Sequence, residues 1–287
     1  MTRIAYVNGA YQRHADAGVH IEDRGFQFAD GVYEVCEVRH GLIVDLTRHL
    51  DRLDRSLSEL RIDWPMTRAA LVVVIREVLR RNRVRNGLFY LQVTRGTARR
   101  DHVFPKDGTP ATVVVTAKRT DASVIAAKNA NGIRAIIVPE NRWDRVDIKS
   151  VGLLPNVLAR QAAREEGAQE AIFVDADGTV KEGAATNVWI VDRDGRLRTR
   201  HAEHGILRGI TRTTLKDVTD TLGMEIVEEA FTVEDMLEAR EVFITAATSI
   251  CFPVVAVNGK TIANGHPGSV SQKIREAFFD IAEKTVI

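Results

Sequence analysis

Hairpin turns constrain this chain more than any other feature. Asn8-Gly9, Asp177-Gly178, Arg193-Asp194-Gly195 and Asn258-Gly259 each separate short apolar or β-branched runs. Such dipeptides supply the positive φ angles of tight turns that match strand twist, so each marks an antiparallel pair. The pairs read as Ala171 to Val174 with Thr179 to Glu182, Val188 to Val191 with Leu197 to Thr199, and Pro253 to Val257 with Lys260. Ile4 to Val7, Gly31 to Arg39, Leu42 to Leu46, Leu88 to Thr94 and Ala111 to Ala117 read as further strands, with Tyr33, Val35 and Glu37 on one face of theirs. Helical spacing joins Leu50, Leu53, Leu57 and Leu60 behind Thr47 as N-cap. It also joins Leu71, Val74, Ile75, Val78 and Leu79 behind Pro65 and Thr67. Thr211 to Leu222 and Ser269 to Thr285 read as later helices. Hairpins mixed with helices predict an α+β fold in two lobes.

The division is expected at a polar, period-free stretch. We read 1–118 as a small N-terminal α/β domain, 119–127 as a linker and 128–287 as a C-terminal domain. A chain of 287 residues is long enough for two cores. Net charge of +1 argues against a nucleic-acid partner. No apolar run is long enough to span a bilayer and the start lacks a signal core, so a cytoplasmic protein is expected. Cys36 and Cys251 form no CxxC and read as thiols of a reducing compartment. The histidines show no HExxH or paired ligand spacing, and no metal is expected.

Four stretches could carry chemistry. Asn141 to Ser150 ends a charged loop on Lys149, just before the apolar run Val151 to Leu154. Partial desolvation there would free the amine as a nucleophile, although a salt-bridging lysine fits the local sequence equally well. The chain has nine lysines, so few residues could form a Schiff base. Gly205 to Arg212 places two glycines and Thr211 before a helix, which suits an anion at the helix start or an ordinary turn and cap. Thr179 to Asn187 puts Glu182 at a strand end before small residues, beside a flat ligand or simply in solvent. Arg95 to His102 leaves a strand through Gly96, and Arg100 and His102, two apart, could clamp a carboxylate. The alternative is a solvated basic loop with Asp101 as its counter-charge. An amine nucleophile, a carboxylate, an anion cradle and a carboxylate clamp together suit pyridoxal 5′-phosphate.

These stretches carry a family resemblance. Glu22-Asp23-Arg24-Gly25 through Asp30 to Val35, His49 to Leu53, Gln92 to Thr97, Arg142-Trp143 to Ser150, Glu182-Gly183 to Val188, and Ile206-Leu207 to Arg212 occur in order along nearly the whole chain. In these motifs the sequence resembles the type IV pyridoxal-phosphate aminotransferases, and within them the D-amino-acid aminotransferases. The resemblance implies the fold type IV architecture, a small N-terminal α/β lobe and a larger C-terminal lobe with a pseudo-barrel.

It implies roles as well. Lys149 would hold the cofactor as a Schiff base and carry the proton, and Glu182 would keep the pyridine nitrogen protonated. Arg52 would pair with the phosphate, helped by backbone at Ile210, Thr211 and Ala247, and Leu207 would pack on the ring. Arg142 and Glu34 would stand near the ring hydroxyl. Tyr33, Arg100 and His102 would trap the α-carboxylate, the last two from the partner subunit of a homodimer with shared active sites, and Val35 would line the substrate side. Ala184-Ala185 and Ala246-Ala247 stand where the family often has hydroxyls, which implies a weaker hold on the cofactor.

The expected activity is ping-pong transamination between D-amino acids, of D-alanine or D-glutamate type, and the 2-oxo acids 2-oxoglutarate or pyruvate. A branched-chain L-aminotransferase, an (R)-amine transaminase or an aminodeoxychorismate lyase would share Lys149 and Glu182. The Arg-x-His pattern separates the D-amino-acid reading from these. A non-catalytic arginine-rich binding protein would differ more simply, because it would be colourless.

Overall fold

A computed structural model of the chain describes residues 3–203 and 205–287. Its first elements are β1 Ile4–Val7, β2 Ala10–Arg13, α1 Arg24–Phe28, β3 Gly31–Arg39, β4 Leu42–Val44, α2 Leu46–Leu60, α3 Arg68–Asn82, β5 Gly87–Thr94 and β6 Thr112–Arg119. Then come α4 Ala122–Asn131, β7 Ile133–Pro139, α5 Leu154–Glu165, β8 Glu170–Val174, β9 Val180–Gly183, β10 Asn187–Val191, β11 Leu197–Thr199 and α6 Ile210–Thr221. The last are β12 Ile226–Glu228, α7 Val233–Leu237, β13 Glu241–Ala246, β14 Ser249–Val257, β15 Lys260–Thr261, α8 Ser269–Ile281 and β16 Lys284–Val286. They form two compact units. The first is Met1–Thr120 with Ile148–Gly152 and Glu283–Ile287, and the second is Asp121–Asp147 with Leu153–Ala282.

The first unit is a seven-stranded sheet in the order β16-β4-β3-β5-β6-β1-β2, with every neighbouring pair antiparallel. β3 alternates as a half-covered strand should. Val32, Glu34, Cys36 and Val38 are buried while Tyr33, Val35, Glu37 and Arg39 are half-buried. The leucine stripes of α2 and α3 close the buried face. Leu53, Leu57, Leu71, Ile75 and Leu79 share one core with Cys36, Phe89, Leu91 and Val115. Each such side chain contributes about 1.5–3 kcal/mol by leaving water.

The second unit holds a nine-stranded mixed sheet, β12-β11-β10-β13-β14-β7-β8-β9, with β15 hydrogen-bonded beside β14. β9 is last in that order, yet β10 follows it in the chain after residues 184–186. So short a connection requires the sheet to curl, bringing β9 back towards β10 in a barrel-like ring. The hydrogen bond from Gly183 N to Thr186 O, 2.7 Å, tightens that turn.

Three sequence expectations change. The stretch read as a linker, 119–127, is mostly helix: Asp121 accepts from Ser123 N at 2.8 Å, and the alanine-rich α4 follows. Thr47 does not cap α2. Asp45 holds the N-cap position, and the Thr47 hydroxyl donates to Glu283 Oε1 at 2.8 Å. The closing helix stops at Ile281, because Ala282 turns extended and β16 pairs with β4 instead. A single cut between 118 and 128 therefore misses two returns of the chain, at Ile148–Gly152 and Glu283–Ile287. Long-range pairing decides both, and local periodicity does not report it.

Candidate functional site

Lys149 lies in the first of these returns. Tyr33 N donates to Lys149 O at 3.0 Å and Val151 N donates to Gly31 O at 3.0 Å, while Val32 and Ser150 form an isolated antiparallel bridge. Ile148 is sunk in the core beside them. The backbone of the lysine is thus pinned to the start of β3. Its half-buried side chain carries Nζ to 4.1 Å from the centroid of the Tyr33 ring, a cation–π contact. Tyr33 stacks on Tyr90 at 5.6 Å, and the Tyr90 hydroxyl donates to Gln92 Oε1 at 2.6 Å. Burial, then the neighbouring Tyr33, push the Tyr90 hydroxyl up to about 12, so it stays a donor at neutral pH. The register sets Tyr33 opposite Gln92 and Val35 opposite Tyr90, which puts these four on one face.

The buried face of β3 carries Glu34. Arg52 grips it bidentately, Nε to Oε1 at 2.8 Å and Nη2 to Oε2 at 2.7 Å, and His49 Nδ1 stands 2.7 Å from Oε2. His49 and Arg52 reach one carboxylate because they are three apart on α2. Burial alone would raise Glu34, but the Arg52 charge and the two hydrogen-bonded partners outweigh it and hold the carboxyl at about 2. Burial lowers His49 in spite of Glu34.

Arg100 and His102 stand exposed on the loop that leaves β5 through Gly96. Gly96 has φ +93°, and a Cβ there would run into the Pro110 carbonyl. Both side chains lie against one ring: Arg100 Cζ is 5.1 Å from the Phe28 centroid and the His102 ring 5.4 Å. Asp101 forms no ion pair with either arginine beside it among the described residues, and its Oδ1 instead accepts from Val103 N at 3.3 Å.

In the second unit, Glu182 is buried at the end of β9 with 4% of its surface exposed. The exposed-glutamate alternative is thereby set aside. Arg142 Nη1 donates to Oε1 at 2.6 Å and Asn187 Nδ2 to Oε2 at 3.1 Å, and Leu207 N is shared between the two oxygens at 3.2 and 3.1 Å. Each carboxylate oxygen thus accepts two hydrogen bonds, one of them from the bifurcated Leu207 amide. Arg142 is also bound to Glu140, Nη2 to Oε2 at 2.6 Å, so one guanidinium serves two carboxylates. Burial accordingly pushes Glu182 up to about 7, with Arg142 and the Leu207 amide pulling the other way.

Asn187 also donates to Leu207 O at 2.9 Å and so ties the approach to α6. That helix begins at Gly209 without a side-chain cap. Its first amides, at Ile210, Thr211 and Arg212, have no intrahelical acceptor and lie at the positive end of the dipole. Ile210 and Thr211 are buried, and the Thr211 hydroxyl is not engaged by any described residue. Leu207 is half-buried just upstream, and Ala247 is half-buried in the two-residue turn between β13 and β14. Among the described residues no group of His, Cys, Asp and Glu could hold a metal ion, and no helix is long and apolar enough to cross a membrane.

Sequence reasoning alone did not assign roles to His49, Asn187, Glu140 or Tyr90. The i, i+3 spacing of His49 and Arg52 was a usable signal. Nothing local announced the other three.

The profile of the family described as Amino-transferase class IV matches residues 31–257. A D-alanine aminotransferase of Staphylococcus haemolyticus is 37% identical over 97% of this chain and 97% of its own length. One from Bacillus licheniformis is 38% identical over 94% of each. Among solved structures, the branched-chain amino acid aminotransferase of Escherichia coli superposes with a TM-score of 0.88 at 26% identity, covering 98% of this chain and 94% of that one.

Proposed function

Because the chain belongs to the class IV aminotransferases, we propose that it moves the amino group of D-amino acids to 2-oxo acids with pyridoxal 5′-phosphate bound. When bound, the cofactor supplies an aldehyde to receive the amine and a protonated ring that withdraws electrons from the substrate α-carbon. The residues fit such a group. The Glu182 cluster sets two carboxylates, Glu140 and Glu182, against the one guanidinium of Arg142, and that excess of negative charge suits a cationic ring nitrogen. The uncapped start of α6 suits a phosphate.

Lys149 would hold the cofactor through its amine and would take up and return the proton of the substrate α-carbon. One amine would serve both half-reactions, because the group that takes the proton in the first can return it in the second. Glu182 keeps the ring nitrogen protonated. Ile210 and Thr211, with Ala247 and Arg52, take the phosphate, Leu207 packs on the ring, and Tyr33 and Val35 face the substrate. Arg100 and His102 bind the α-carboxylate, serving the neighbouring subunit of a homodimer.

The observation that carries the D-amino-acid reading is the convergence of Arg100 and His102 on Phe28, at 5.1 and 5.4 Å. Two donors so placed suit one carboxylate. Relatives named D-alanine aminotransferase support it. The likeness to the Escherichia coli branched-chain enzyme is the reason to test the alternative. Purified protein with added cofactor should show a visible band that D-alanine bleaches and L-leucine does not. Bleaching by L-leucine alone would keep Lys149 and overturn the substrate. No band would overturn the reading at its root.

A further inference from the structure

The loop carrying Arg100 and His102 is exposed at its tip, yet it is fastened from below by a buried charge cluster in its own unit. Arg24, with 3% of its surface exposed, is the centre of that cluster. Its Nε donates to Asp30 Oδ2 at 2.8 Å. Its Nη1 donates to the carbonyl of Asp101 at 2.6 Å and, more weakly, to that of Val103 at 3.4 Å. Those two carbonyls flank His102. The guanidinium carbon also lies 4.9 Å from the centroid of Phe28, the ring that Arg100 and His102 share.

Asp30 is held in turn. Arg95 binds it through Nε at 2.7 Å and Nη2 at 2.9 Å, and donates to the carbonyls of Leu60 and Arg61 at 2.7 and 2.8 Å. Arg95 also lies 3.7 Å from the centroid of Phe104, further along the same loop, with Arg61 at 4.8 Å from it. Two buried guanidinium groups therefore share one carboxylate. A buried cation without a carboxylate of its own must satisfy its remaining N–H groups on backbone oxygens. That requirement gives the loop backbone a reason to sit where Arg24 can reach it.

We propose that Arg24 is the positioning residue of the carboxylate-binding loop: by donating to the carbonyls on either side of His102, it sets His102 and Arg100 at the spacing that takes an α-carboxylate. The inference rests on the functional reading above and extends it to a residue that touches no substrate. It also gives the buried arginine of the Asp23-Arg24-Gly25 run a task that burial alone does not explain.

The test uses the cofactor-loaded protein with Arg24→Lys. An ammonium keeps the charge beside Asp30 but cannot span that carboxylate and the loop carbonyls together, as the planar fork does. The D-alanine concentration for half-maximal bleaching should rise about tenfold, as for one misplaced charge-assisted hydrogen bond. Hydroxylamine removes the cofactor from Lys149 and needs no carboxylate site, so its rate should stay within about twofold. In the cofactor-free protein, trypsin should cut after Arg99 and Arg100 faster than in the unaltered chain. Phe104→Ala loosens the same loop without touching Arg24 and should act in the same direction, which covers the case in which Arg24→Lys does not fold. An unchanged D-alanine requirement overturns the proposal. So does a hydroxylamine rate that falls in step, because general disorder would then be the cause. If the unaltered protein itself is not bleached by D-alanine, the functional reading has failed, and that outcome is visible before any variant is made.

Discussion

Glu182 should make the cofactor-free protein less stable as the pH rises through neutrality. Its carboxyl, ordinarily near 4.5, is pushed up to about 7 by burial, against the pull of Arg142 and the Leu207 amide. Unfolded, the group loses its proton near 4.5. Folded, it keeps the proton to about 7. Between those values the folded chain binds more protons, so stability falls with rising pH, and the full penalty is present above 7. At about 1.4 kcal/mol for each tenfold in the ionisation constant, the penalty is roughly 3 kcal/mol. His49 works in the opposite sense. Burial depresses it, so its proton uptake on unfolding makes stability rise with pH through the ordinary histidine range. The comparison must therefore be a difference between two proteins that both keep His49.

Urea unfolding at pH 5 and pH 8 serves, followed by the fluorescence of the three tryptophans, of which Trp189 is fully buried in the second unit. The unaltered chain should lose about 3 kcal/mol more between those pH values than Glu182→Gln does. Equal losses, within roughly 1 kcal/mol, would refute the argument that burial has outrun the single shared guanidinium.

Two further outcomes are expected. Glu34→Gln removes the carboxylate that Arg52 grips with two parallel bonds, which should cost about 3–5 kcal/mol in urea unfolding at pH 7. The Glu34 contribution is complete above about 4.5 and is lost as the pH falls towards 2, so the variant and the unaltered chain should converge in acid. Ala247→Thr adds a hydroxyl in the turn between β13 and β14, and should tighten cofactor binding by about 0.5–1.5 kcal/mol in a titration of stripped protein. No gain would mean that this turn does not face the phosphate.

The hairpins were legible because their cause is local. Asn8 and Asn258 take φ of 45° and 47°, and Gly9 and Gly259 follow at 96° and 74°. Only residues tolerant of that region can stand there. The helices of the first unit were legible for a similar reason, since a leucine stripe needs one face to bury. From residue types the loop from Arg95 to His102 could be read as a carboxylate clamp or as a solvated basic loop. What held it could not, because Asp30 and Arg24 lie more than sixty residues upstream and contact it only in the fold. The same limit hid the return of Ile148–Gly152 to the first unit. Lys149 stood out from its neighbours in sequence as a nucleophile or a salt-bridging lysine, while the groups that pin its segment, Gly31 and Tyr33 on β3, were visible only through pairing.

The two buried glutamates show what residue type leaves undecided. Glu34 and Glu182 are exposed by 1% and 4% and each accepts bonds from an arginine. Burial raises both, yet one ends at about 2 and the other at about 7. The difference lies in how many carboxylates each guanidinium must serve. Arg52 grips Glu34 with two parallel bonds, and His49 adds a third partner. Arg142 spends one edge on Glu140 and reaches Glu182 through Nη1 alone. Glu34 is thus complete and can anchor Arg52 at any working pH. Glu182 is one cation short, and a protonated ring nitrogen is a cation of the right size and hydrogen-bonding type to complete it. On this argument, Glu140→Gln should release Arg142 to Glu182 and draw its carboxyl downward, weakening the preference for a cationic partner without touching any group assigned to the cofactor.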